Sequence, residues 1–302
     1  MNESTPELRL RSLFRERRAL QDQAQDLENK AKPHTTKKGV VVQPRFDQPT
    51  CKEIVAFADS MREKVSTIED VMKRELKEVP IYNEFFKKVW GCGPITAAIL
   101  IANVNVHHKE DTDKGATKPS SVIQFCGFGV HDGKLSRMVS GKTRDYHPDL
   151  RDCLFNLFTT MSKNRGAWNK TNKYLVIYDG KKHGIITGPR VQPSDKGPQI
   201  DGHPAQAFAH QTAWHTAMRV FLEDMYVIWR AQLGLPVWPS YHAAQMGYSH
   251  GGKICVAEPK LLTLEAAWEI VGHVGKYCPQ CNSQLKCDCF KKDETTTTES
   301  AV

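Results

Sequence analysis

The sequence predicts a mainly α-helical protein. Three observations lead there. Apolar residues recur at steps of three and four over residues 7–30 and 50–78. A third segment, 205–233, reads as one long helix and stops at Gly234. Clusters of Pro and Gly at 31–49 and 184–204 punctuate the chain around these segments. The organisation read from this pattern is an N-terminal helix and linker (1–49), a helical domain (50–240) with a helix-hairpin-helix at 82–104, and a C-terminal region (241–302). That last region holds a helix, a cysteine cluster and a disordered tail.

In the first segment Leu10, Leu13, Leu20, Ala24 and Leu27 form a coiled-coil seam, with Arg17 in the remaining apolar slot. Residues 31–49 carry three prolines and a glycine and read as a linker. Ile54, Ala58, Met61, Val65, Ile68 and Met72 then line a second amphipathic helix, stopped by Pro80. The two N-terminal helices suit packing on their own domain or homo-oligomerisation equally. A short helix is expected at 82–89, a tight turn at 90–94, and an apolar helix at 95–104 with Pro94 in its first turn. Residues 105–119 read as loop, followed by a short helix through Phe125 capped by Ser120 or Ser121. The glycine-rich stretch FCGFGVHDGKLSRMVSGK suits irregular structure or a small hairpin. A helix at 147–163 presents Leu150, Cys153, Leu154, Leu157, Phe158 and Met161 on one side. Residues 168–179 read as helix or strand. The long helix at 205–233 carries Asp224 as its lone polar intruder, and a last helix is expected at 260–272. The ending DETTTTESAV is low in complexity.

Composition narrows the class. The chain has 302 residues, 40% hydrophobic and 25% charged, which excludes collagen-like, wholly disordered and integral membrane proteins. The longest apolar run, 95–106, is too short to span a bilayer. No apolar leader segment is seen, and a cytoplasmic, bacterial nucleoid-associated setting is expected. The formal charge is +8, and its distribution is uneven. Residues 134–196 hold thirteen Lys and Arg against five Asp, a local excess as large as that of the whole chain. Such a field suits a polyanion.

Three constellations carry candidate chemistry. In VWGCGPITAA, Gly91 and Gly93 bracket a turn that opens a helix, where free amides and the helix dipole favour a phosphate. Lys87, Lys88 and Thr96 flank it as DNA-contact candidates. Cys278 and Cys281, with Cys287 and Cys289, form a C-x-x-C and a C-x-C that match structural zinc. In GKLSRMVSGKTR, Ser136 and Ser140 stand among Lys134, Arg137, Lys142 and Arg144. That arrangement suits hydrogen bonding to a phosphate, or attack on one. Asp132 and Asp145 are the neighbouring candidate bases. His203, His210 and His215 lack the spacing of a shared metal face and read as structural or surface residues. No phosphate-binding loop of the GxxxxGK[ST] kind, dinucleotide fingerprint or GxSxG elbow occurs, nor an evident strand-borne acidic set.

The segments KKVWGCGPITAAILIANV, SSVIQFCGFGV and DGKLSRMVSGKTRDYHPDLRDCLF resemble the C-terminal helix-hairpin-helix domain of bacterial insertion-sequence transposases related to Piv-type invertases. The resemblance runs over about residues 80–240. It implies a transposase-like central domain acting in DNA transposition or recombination. The family pairs this domain, which bears a catalytic serine, with a RuvC-like acidic domain, and its bridge-RNA members use an RNA guide. Here the serine falls at Ser136 with a small shift, or at Ser140, which keeps the Ser-Gly step. The chain is expected to be a relative without the RuvC-like half: a DNA-binding transposase-family protein that binds phosphates and, alone, neither cleaves nor joins DNA. The alternatives are a serine recombinase taking magnesium and carboxylates from another chain, and a zinc-dependent protein-interaction adaptor.

Overall fold

A computed structural model describes residues 5–35, 39, 41–106, 118–131, 134–135, 141, 143–168, 171–193, 197–200, 202–238, 259–272 and 276–277. The protein is mainly α. Among the described residues there are nine α-helices, and every strand is two residues long. The helices are α1 (Pro6–Ala31), α2 (Gln48–Lys77), α3 (Pro80–Glu84), α4 (Pro94–Asn103), α5 (Pro119–Phe125), α6 (Pro148–Trp168), α7 (Lys173–Ile186), α8 (Ala205–Gln232) and α9 (Leu264–Val271). Four two-stranded antiparallel ladders join β1 (His34–Thr35) to β2 (Val41–Val42), β3 (Val130–His131) to β4 (Lys134–Leu135), β5 (Thr171–Asn172) to β8 (Lys276–Tyr277), and β6 (Gln199–Ile200) to β7 (His203–Pro204). No described helix is long and apolar enough to cross a membrane.

The chain divides into two compact units. One holds residues 1–80 and 94–103, the other 81–93 and 104–302. The first is built on α1 and α2, and α4 packs on both. Ion pairs join Arg9 to Glu75, Arg17 to Glu69 and Arg62 to Glu28, so the two long helices run antiparallel. Arg17, the polar residue in the apolar seam, reaches Glu69 at 2.6 Å with both side chains mostly covered. The seam is thus buried within the same chain: Leu10, Phe14 and Ala24 on α1, with Ala58, Val65, Ile68, Met72 and Leu76 on α2. The connecting segment, read as linker, contains the β1–β2 hairpin. In α4, Ala97 and Ala98 are fully buried, and Arg11 donates to the Ala102 carbonyl at 2.8 Å.

The second unit centres on α8. Its face of Ala209, Ala213, Ala217, Phe221, Met225 and Ile228 is fully buried, and α5, α7 and α9 lie against it. All six apolar residues expected on the inner face of α6 are buried. The helix expected at 82–89 is instead α3 followed by a 3-10 turn at Phe86–Lys88. The cause is that consecutive Phe85 and Phe86 are both fully buried, each tilted against Phe221, with Phe85 also stacked on Trp268. A regular helix turns neighbouring side chains about 100° apart, so burying both tightens the backbone. Helix α5 starts at Pro119, which places Lys118 at the cap position and both serines inside the first turn. It ends in a Schellman turn: Phe128 N–H bonds the Ile123 carbonyl and Gly127 N–H the Gln124 carbonyl, both at 2.9 Å, with Gly127 at φ +82°. Residues 168–179 resolve into β5 and the start of α7, whose N-cap Asn172 accepts from Leu175 N–H at 2.9 Å.

Candidate nucleic-acid interface

The turn at 90–94 is anchored from α7. Asn172 is fully buried and donates from Nδ2 to the Trp90 carbonyl at 3.0 Å while its Oδ1 caps α7. One amide thereby fixes both the turn and the helix start. Gly91 adopts φ +90°, and a Cβ there meets Met161 Cγ at 2.7 Å. Its glycine is therefore required by packing against α6 as well as by the backbone. Gly93 differs: its φ is not positive, and a Cβ added there meets nothing within 4 Å. The two glycines expected to act alike thus have different roles. The segment 82–104, expected as one helix-hairpin-helix, is divided at Gly93–Pro94, with 81–93 in the second unit and α4 in the first. Thr96 is half-buried in the first turn of α4.

Lys87 and Lys88 are both exposed. Lys88 is engaged within the second unit, 3.1 Å from Glu84 and 4.7 Å above the Trp268 ring. Arg144 is exposed on the approach to α6, and Lys134 lies in β4. Ser136, Arg137, Ser140 and Lys142 lie outside the described residues, as do Asp132 and Cys278, Cys281, Cys287 and Cys289. The ladder between β5 and β8 places Lys276–Tyr277, directly before Cys278, beside the start of α7. Among the described residues no group of three or more His, Cys, Asp or Glu side chains is arranged to hold a metal ion. Burial pushes the thiols of Cys92 and Cys126 well above the ordinary range, so both stay protonated.

Cations of the basic stretch divide into two sets. Arg165 makes a two-pronged pair with Asp179 at 2.7 and 2.8 Å. Lys173 bonds Asp224 and the Val271 carbonyl, each at 2.7 Å. These two are committed to structure. Lys163 on α6, Lys181 on α7 and Arg190 beyond it are exposed, with Arg190 also 6.0 Å from the centre of the Phe208 ring.

Reading the sequence missed the network around Asp224, although that residue stood out on its helix. Tyr174 O–H donates to its carboxylate at 3.1 Å beside Lys173. Burial pushes the Asp224 carboxyl up to about 6, with Lys173 pulling in the opposite direction. The network ties α7, α8 and the end of α9 together. His210, read as a structural or surface residue, is exposed and is hydrogen-bonded through Nδ1 to the buried Tyr178 hydroxyl at 2.8 Å. No protein-family model matches the chain, and no curated protein or solved structure matches it.

Proposed function

We propose that this chain is a DNA-binding protein of the transposase kind, contacting the phosphate backbone with the basic surface of its second unit. The observation that carries the reading is the charge distribution. The whole net charge of +8 is matched by residues 134–196, and Arg144, Lys163, Lys181 and Arg190 from that stretch are exposed. Phosphate contacts of this type position a protein without reading bases. The segments quoted above add the transposase resemblance. Cys278, Cys281, Cys287 and Cys289 supply a four-thiolate donor set for structural zinc.

The test is anisotropy of labelled duplexes of unrelated sequence with the full chain over a range of salt. Affinity should fall with a log–log slope of about −0.9 per phosphate neutralised, similarly for each duplex. Lys163→Gln with Lys181→Gln should flatten that slope by about 2. Affinity independent of salt overturns the reading. Given supercoiled DNA and magnesium, the chain should leave it intact. A covalent adduct lost in Ser136→Ala or Ser140→Ala would assign the recombinase reading in its place.

A further inference from the structure

The antiparallel pair α1–α2 leaves part of its apolar surface uncovered. Leu13, Leu20 and Leu27 recur at steps of seven on α1, and each is only half-buried. On α2, Ile54 and Met61 are half-buried at the same spacing, and Phe57 between them is 55% exposed. The ion pair between Glu28 and Arg62 fixes how the two rows lie. Leu27 and Met61 each precede a member of that pair by one residue, about 100° back around its helix. In helices that run antiparallel, the same backward step turns both side chains to the same side of the pair. The two rows therefore form one apolar face.

Helix α4 covers the opposite side. Its Ala102 carbonyl accepts from Arg11, and Leu13, Leu20 and Leu27 stand about 160–180° around α1 from Arg11. Among the described residues no other helix or strand packs extensively on α1 or α2. Charge says what the face would meet. Residues 18–32 and 48–64 hold six Lys and Arg against six Asp and Glu. Many of these are paired within the chain: Arg18 with Asp22, Lys30 with Asp26, Lys32 with Glu28, and Arg62 with Asp59. A balanced rim of this kind does not attract a polyanion or a strongly charged protein, and two like copies meet on it without net repulsion. Size agrees. With 26 residues α1 is about 39 Å long, and two helices side by side are about 20 Å wide, a face of roughly 800 Å² per copy. That is the area each partner contributes to a stable interface of ordinary size.

We propose that the chain forms a homodimer in which this face of α1–α2 packs on the same face of a second copy, making an antiparallel four-helix bundle. A twofold axis through the face sets Leu20, Leu27, Phe57 and Met61 of one copy against the same set on the other, so the contact is isologous. Heptad spacing on both helices suits the knobs-into-holes packing of such a bundle, at a crossing angle of about 20°. The dimer does not depend on the DNA-binding reading. It would give the assembly two copies of the basic second unit.

The experiment is sedimentation equilibrium of the full chain, treated with nuclease so that no nucleic acid bridges two copies. Concentrations run up to about 50 µM, above the micromolar-to-picomolar range of interfaces this size. Wild type should show twice the mass of one chain. Phe57→Glu should weaken the dimer by about thirtyfold or more, because it buries a carboxylate without a partner in the contact. Phe57 is exposed in the single copy, so the variant should keep the wild-type helical signal. Phe57→Ser, a milder change, should weaken the dimer to a smaller degree. Leu261→Glu alters a 72% exposed apolar residue of the second unit and should leave the dimer as it is. A wild type that stays a single chain over this range overturns the proposal. So does a dimer that both Phe57 variants keep, or one that Leu261→Glu also dissolves.

Discussion

Asp224 and His215 lie nine positions apart on α8 and titrate in opposite senses. Burial raises the Asp224 carboxyl to about 6 against an unfolded value of about 4. Between those values the native state keeps a proton that the unfolded chain has released. Its stability contribution is complete below about pH 4 and is lost as pH rises through about 6. His215 is the reverse, lowered to about 4 against about 6.5 unfolded. Its contribution is complete above about pH 6.5 and is lost as pH falls through about 4. Each is worth up to about 3 kcal/mol and the windows overlap, so between about pH 4 and pH 6 the two contributions oppose and largely offset each other. Asp224→Asn should leave a stability that rises with pH, and His215→Phe one that falls. Urea unfolding at each pH reads this directly, and parallel profiles for all three proteins would refute it. Asp224 was conspicuous in the sequence as the polar residue on an apolar face. Its partners were not, because Lys173 and Tyr174 lie 51 and 50 positions away.

At the scale of elements, the turn at 90–94 separates two glycines that look equivalent in sequence. Gly91→Ala places a methyl 2.7 Å from Met161 Cγ, at a backbone angle of φ +90°. Met161 is fully buried, so it has little room to yield. The cost should be about 1–3 kcal/mol. Gly93→Ala enters open space at an ordinary φ and should stay within about 0.5 kcal/mol of wild type. Thermal unfolding of the two variants tests the contrast, and equal losses would show that the turn is not seated on α6. The inner faces of α2, α6 and α8 were legible from periodicity alone, since each is a stripe of apolar residues along one helix. The break within 82–89 was not. Phe85 and Phe86 are both good core residues, and only Phe221 and Trp268 make burial of both together worth a 3-10 turn.

For the whole molecule, the chain passes from one compact unit to the other at residues 80, 93 and 103. Helix α4 is thereby assigned with α1 and α2, while the turn before it is anchored by Asn172 of the second unit. The cysteine pairs follow β8 in the sequence, beyond every described helix, and lie outside the described residues. If they bind zinc, purified protein should carry one zinc per chain, and a chelator should remove it with little change in the far-UV helical signal. Elemental analysis finding no zinc in protein never exposed to chelator would exclude the site. A collapse of the helical signal on chelation would show that the metal supports the cores.

The sequence by itself determined the helical class, the inner faces of the long helices, the clustering of positive charge in 134–196 and the pairing of cysteines near the C-terminus. These are properties of composition and of spacing within one or two helical turns, and local physics sets them. Tertiary structure alone decided that the N-terminal seam closes antiparallel on α2 with Arg17 facing Glu69, that Gly91 is a contact and Gly93 is not, and that Phe128 sets its ring edge-on to His215. Each depends on residues dozens of positions apart. A histidine on α8 reads the same in sequence whether its ring is solvated or buried against Phe128 and Trp214, and only packing of the other helices settles which.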